Sequence, residues 1–114
     1  MFKKILVTLD GSTLAEKVLP YVEELAKQFD SEVILLHVLT VPAISSSPEA
    51  SYVEDKELAK KEALEYLDRI DYRLDNLKIK TRPVLVEGKP ADEIVDYAAL
   101  EGVDVIAMST HGRS

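Results

Sequence analysis

Apolar runs of strand length alternate with amphipathic stretches of helix length along the 114 residues, and this alternation predicts an α/β fold built on a parallel sheet. Two further observations support it. The first two strand-like runs, residues 5–9 and Glu32–Leu39 (EVILLHVL), are nearly unbroken in apolar residues, as expected of strands covered on both faces. The stretches between runs are long enough for the right-handed helical crossovers that parallel neighbours require. The order reads β-α-β-α-β-α-β, and the length suits one domain with a single core, spanning residues 1–114.

The elements follow in order. Residues 5–9 (ILVTL) form the first strand, ended by Asp10-Gly11-Ser12. Ala15, Val18, Leu19, Val22, Leu25, Ala26 and Phe29 then recur at helical spacing, with Thr13 and Glu16 placed as a capping box. Pro20 either kinks this helix or moves its start downstream, because it lacks a donor and crowds the preceding turn. After the second strand, residues 40–51 carry Pro42, Pro48 and the serines 45–47 without periodicity and read as a loop. A long helix follows over 53–76, with Leu58, Ala63, Leu67, Ile70 and Leu74 on its inner face. Its charged positions read as a solvated face with i,i+4 pairs. Residues 78–86 form the third strand, and Pro83 within it calls for a sheet edge or a bulge. Gly88-Lys89-Pro90 turns into a third helix whose inner face is Ala91, Ile94, Val95 and Ala98, stopped at Gly102. Residues 104–108 (DVIAM) are the fourth strand, and the polar run 109–114 follows.

Composition narrows the function. Fourteen basic residues against twenty-one acidic ones give a net charge of −7, which disfavours nucleic acid or anionic membrane as partners. A single bound nucleotide is compatible with that charge, since clustered backbone N–H groups hold phosphate locally. There are no cysteines, which removes disulfides and thiolate chemistry and agrees with a cytoplasmic location. No apolar stretch reaches the length needed to span a bilayer. The two histidines, His37 and His111, lie far apart and make a poor metal site. His37, inside a buried-type strand, reads as a satisfied core histidine rather than a ligand. No Ser-His-Asp arrangement or pair of acids poised for hydrolysis is evident, so no catalytic residue is assigned.

In open parallel α/β sheets, ligands bind beyond the carboxyl ends of the strands where strand order reverses. Two strand ends carry suitable residues: Asp10-Gly11-Ser12 after the first strand and 109–114 after the fourth. Taken alone, Asp10-Gly11-Ser12 reads first as a plain strand-to-helix turn, and the family resemblance below reverses that preference.

Four segments resemble the universal stress protein family: ILVTLDGS at 5–12, VILLHV at 33–38, Gly88-x-Pro90 with Ile94, Val95 and Ala98, and DVIAMSTHGRS at 104–114. The resemblance implies a Rossmann-like, doubly wound sheet of the adenine nucleotide alpha hydrolase-like type, in order 3-2-1-4-5. It further implies that the fifth strand and last helix lie beyond Ser114. By the same resemblance, ATP (or ADP or AMP) is bound by Leu9, Asp10, Val38, Met108, His111, Gly112, Arg113 and Ser114. Asp10 would meet the ribose and the Val38 backbone the adenine, while Mg or Mn would be held through the phosphates. The family's Gly-x2-Gly-x9-Gly-Ser/Thr phosphate loop is represented only by Gly112 and its spacers Arg113 and Ser114. A nucleotide-binding stress-response module, dimeric when complete, is therefore the expectation. The alternatives are a non-binding dimerisation scaffold of the same fold and a slow ATP hydrolase.

Overall fold

Four parallel strands form one sheet in the order β3-β2-β1-β4, so the two most apolar strands occupy its centre. The computed structural model describes residues 3–10, 16–39 and 49–108, with backbone alone for 49–55. The elements are β1 (Lys4–Thr8), α1 (Leu19–Phe29), β2 (Glu32–Leu39), α2 (Glu49–Asn76), β3 (Lys80–Glu87), α3 (Pro90–Glu101) and β4 (Val105–Ala107). The register runs Lys4↔Glu32 to Thr8↔Leu36 between β1 and β2, and Ile5↔Val105 to Val7↔Ala107 between β1 and β4.

Side-chain alternation along β1 and β2 divides the core into two layers. Ile5, Val7, Leu9, Val33 and Leu35 face α1 and α2, meeting Leu19, Val22, Ala26, Tyr66, Leu67, Ile70 and Leu74. Leu6, Ile34 and Leu36 face α3, where Ile94, Tyr97, Ala98 and Val103 pack on them. Strand order reverses between β1 and β4: the crossovers through α1 and α2 build one flank, and the return through α3 builds the other. Right-handed crossovers in opposite directions must lie on opposite faces, which accounts for the two layers.

The edge position expected for Pro83 is observed. It pairs with Leu35 in β3, which lies at the sheet's border, where its missing donor breaks no second ladder. Pro20 shifts the start of α1 downstream. Val18 is the N-cap and Pro20 falls in the first turn, where the amide has no helical acceptor in any case. The proposed Thr13 cap, Ala15 and the segment 40–48 lie outside the described residues.

Three inner-face assignments are corrected. Leu58 and Val95 are exposed, at 56% and 64%, and Ala91 is exposed as well. In α2 the buried stripe is Ala63, Tyr66, Leu67, Ile70 and Leu74, so Tyr66 takes the place assigned to Leu58. In α3 the face on the sheet is Ile94, Tyr97 and Ala98, and Val95 lies about 100° around the helix from Ile94. The second helix also begins earlier than expected, at Glu49 rather than 53. Glu49 puts an acid at the positive end of the helix dipole, which suits a start there.

All three helices stop in the same way. Asp30 (φ 54), Lys78 (φ 66) and Gly102 (φ 63) are left-handed, and the following amides return to carbonyls five residues back: Ser31 to Ala26, Ile79 to Leu74 and Val103 to Ala98. At the end of α2 this places buried Ile79 on buried Leu74, the apolar contact that accompanies the motif. The left-handed Lys78 explains why β3 begins at Lys80 rather than 78. At the turn into α3, Gly88 has φ 146, and a Cβ there would come within 2.7 Å of the Glu93 carboxylate.

The corrected core makes a direct prediction. Leu35→Ala, at a position with 0% exposure, is expected to cost roughly 2–5 kcal/mol in urea unfolding. Val95→Ala is expected to stay within about 0.5 kcal/mol of the parent.

Candidate nucleotide site

The carboxyl edge of the sheet is stepped. The β1–β2 register ends at Thr8↔Leu36, and the Leu9 N–H adds one more rung to the Leu36 carbonyl at 2.8 Å. β2 continues beside β3 as far as Leu39↔Glu87. Main-chain groups two residues apart on a strand face the same neighbour. Val38 therefore presents its N–H and C=O to the side where β1 has ended. Leu9 anchors the step, with its side chain 2% exposed in the core beneath α1 and α2. Asp10, the next residue, is exposed at the rim.

Beside that step lies an open cavity of about 370 Å³, lined by Asp10, His37, Ala59, Glu62, Ala63, Tyr66 and Arg69. Asp10 and His37 come from the strand ends; the other five lie on one face of α2, which runs back along the sheet from this edge. Lys56 of α2 is paired with Glu87, the last residue of β3, at 3.2 Å, which ties the helix to the carboxyl edge. His37 Nδ1 lies 2.6 Å from the Leu9 carbonyl oxygen, and its ring meets Tyr66 edge-on at 6.2 Å. The Arg69 guanidinium stands over the other ring of that pair, 5.4 Å from the Tyr66 centroid.

Of the sequence-predicted positions, Leu9, Asp10 and Val38 come together at the ends of β1 and β2. Met108 follows β4, next to β1 across the reversal, and is 53% exposed. His111, Gly112, Arg113 and Ser114 lie outside the described residues. His37 is hydrogen-bonded, as a core histidine should be, yet it is only half-buried and forms part of the cavity wall. Glu62, Tyr66 and Arg69 were not anticipated as site residues. Their only signal is the i, i+3/i+4 spacing with Ala59 and Ala63, which by itself reads as helix core. Among the described residues there is no group of three or more His, Asp or Glu arranged for a metal ion, and no helix long and apolar enough to cross a membrane.

The model of the universal stress protein family matches residues 1–114, the whole sequence. This chain belongs to the universal stress protein family. Among relatives, the universal stress protein MJ0577 of Methanocaldococcus jannaschii is 34% identical over 129 residues, covering 100% of this chain and 80% of that protein. Its solved structure superposes with a TM-score of 0.89 at 37% identity, covering 99% of this chain and 78% of the other. A family protein from Arabidopsis thaliana solved with AMP bound shares the fold at a TM-score of 0.76 and 18% identity, covering 97% and 78% of the two chains. A universal stress protein in complex with cAMP does so at 0.71 and 18%, covering 93% and 75%.

In this family member, a cluster of charged groups occupies the opposite, amino edge of the sheet. Hydrogen bonds from the Arg82 and Lys4 side chains hold the Glu101 carboxyl below its usual range. The distances are 3.0 Å from Arg82 Nη2 and 3.3 Å from Lys4 Nζ. Asp104 is likewise lowered, chiefly because its Oδ2 accepts the Lys4 amide at 3.0 Å and the Lys3 amide at 2.8 Å. Arg82 is raised, first by its bond to Glu101. These groups staple β3, α3 and the start of β4 to β1, and their role is architectural.

Carboxyls lowered by folding stabilise the folded state above their unfolded values, and that contribution disappears as pH falls through the folded ones. Stability is therefore expected to decline as pH drops from about 5 toward 3, in the window around ordinary carboxylate values. Asp104→Asn should flatten that slope in chemical denaturation followed against pH. An unchanged slope would show that Asp104 does not contribute to it.

Proposed function

We propose that this domain binds an adenine nucleotide (ATP, ADP or AMP) at the carboxyl edge of its sheet and acts as a binding and signalling module. The observation that carries the reading is the reversal of strand order beside β1, with Asp10 exposed at that strand's carboxyl end. The chemistry present suits such a ligand. The Asp10 carboxylate is an acceptor for the two hydroxyl donors of a ribose, and it would repel a triphosphate at the same distance, which assigns it to the sugar. The Val38 main chain offers one donor and one acceptor, matching the acceptor nitrogen and exocyclic amine along one edge of adenine. Ligands in solved structures of the same fold, AMP in one and cAMP in another, support the same class.

Leu9 supports Asp10 from within the core, and Met108 would supply apolar surface from the neighbouring strand. His111, Gly112, Arg113 and Ser114 complete the reading as the start of a phosphate-binding loop, with Gly112 allowing close backbone approach. A divalent cation, Mg or Mn, would enter with the phosphates. Homodimerisation and a cytoplasmic location, implied by the family resemblance, belong to the same proposal.

Calorimetric titration with ATP, ADP and AMP is expected to show saturable binding. Asp10→Ala should weaken it by about 10-fold or more, the scale of losing a hydrogen bond to a charged acceptor. Absence of saturable binding at millimolar nucleotide with magnesium would favour the scaffold reading instead.

A further inference from the structure

The end of β1 is held by a side chain where the ladder itself would otherwise continue. In a longer parallel ladder, the Val38 N–H would be next to reach the Leu9 carbonyl. The imidazole of His37 bonds to that carbonyl, with Nδ1 at 2.6 Å. A carbonyl oxygen carries no proton, so Nδ1 must be the donor, which defines the tautomer of the neutral ring. The ring also meets Tyr66 edge-on, with centroids 6.2 Å apart; Tyr66 is 7% exposed and belongs to α2.

From this geometry we infer that His37 is the positioning residue of the carboxyl-edge site: by holding the Leu9 carbonyl it orients Asp10. The inference rests on the nucleotide reading above. The Leu9–Asp10 peptide is planar, so holding its carbonyl sets the plane from which the Asp10 side chain departs. The Leu9 side chain, buried in the core, holds the same peptide from the other end. Asp10 therefore starts from a prepared position and loses less freedom when it accepts ribose hydroxyls. His37 touches no reacting atom in this account and acts through Leu9.

Two substitutions separate the hydrogen bond from simple packing. His37→Asn puts an amide N–H close to where Nδ1 stood, whereas His37→Gln carries its amide one bond further, toward the Nε2 position; both remove the ring from Tyr66. Calorimetry with ATP should give His37→Asn an affinity within about 3-fold of the parent, and His37→Gln a loss of about 10-fold. Urea unfolding of each variant should confirm that both are folded. Long-range nitrogen–proton NMR on the unsubstituted chain should show the Nδ1–H tautomer of His37 at a pH where the ring is neutral.

Equal affinities for the Asn and Gln variants, or an Nε2–H tautomer, would overturn the inference while Asp10-dependent binding still stood. Failure of the unsubstituted chain to bind ATP would overturn the nucleotide reading and the inference with it.

Discussion

The structure depends on β1 being buried on both faces. Ile5, Leu6 and Val7 are each 0% exposed, although they point alternately to opposite sides of the sheet. A strand of this kind needs helices above and below and a hydrogen-bonded neighbour on each side. Here β2 and β4 are those neighbours, and α1, α2 and α3 are those helices. Satisfying that requirement forces the connections to leave β1 one way and return the other. That reversal falls beside β1, the position at which open α/β sheets accept ligands, so the place for a site follows from covering β1.

The two edges of the sheet do different work. At the amino edge, Lys4, Arg82, Glu32, Glu101 and Asp104 form a mesh of ion pairs and main-chain hydrogen bonds. Its pKa displacements stem from partners in an exposed setting, where individual ion pairs contribute little each. Perturbed titration often marks a functional site; at this edge the partners of Glu101 and Asp104 account for it by architecture alone. The carboxyl edge instead offers unpaired register, an exposed carboxylate and an open cavity. A helix, α2, forms one wall of that cavity and is tied at its start to β3 and further along to α1 through Arg73 and Glu23 at 2.7 Å.

Much of this was legible in the residues. The buried strands announce themselves because a strand covered on both faces has no polar side, and Pro83 correctly marks an edge. Asp10 was legible as well, being a carboxylate at the first strand's end. Val95, Ala91 and Leu58 were assigned to the wrong face because apolar character identifies candidates without saying which of several possible stripes meets the sheet. The stops at Asp30 and Lys78 were illegible because left-handed caps are signalled by glycine, and these two residues adopt the conformation without it. The α2 wall of the cavity was illegible for a different reason. Glu62, Tyr66 and Arg69 line the same cavity as Asp10 and His37 only because the crossover brings α2 back over the strand ends, and nothing local in their sequence records that meeting.

The central claim is that ligand chemistry belongs to the carboxyl edge and architecture to the amino edge. Amide chemical shifts recorded during titration with AMP test it most directly. Saturable shifts are expected at Asp10, Val38, Leu39 and Met108, with Lys4, Glu32 and Asp104 unmoved. Saturable shifts concentrated at the amino edge, or none at any edge, would contradict it.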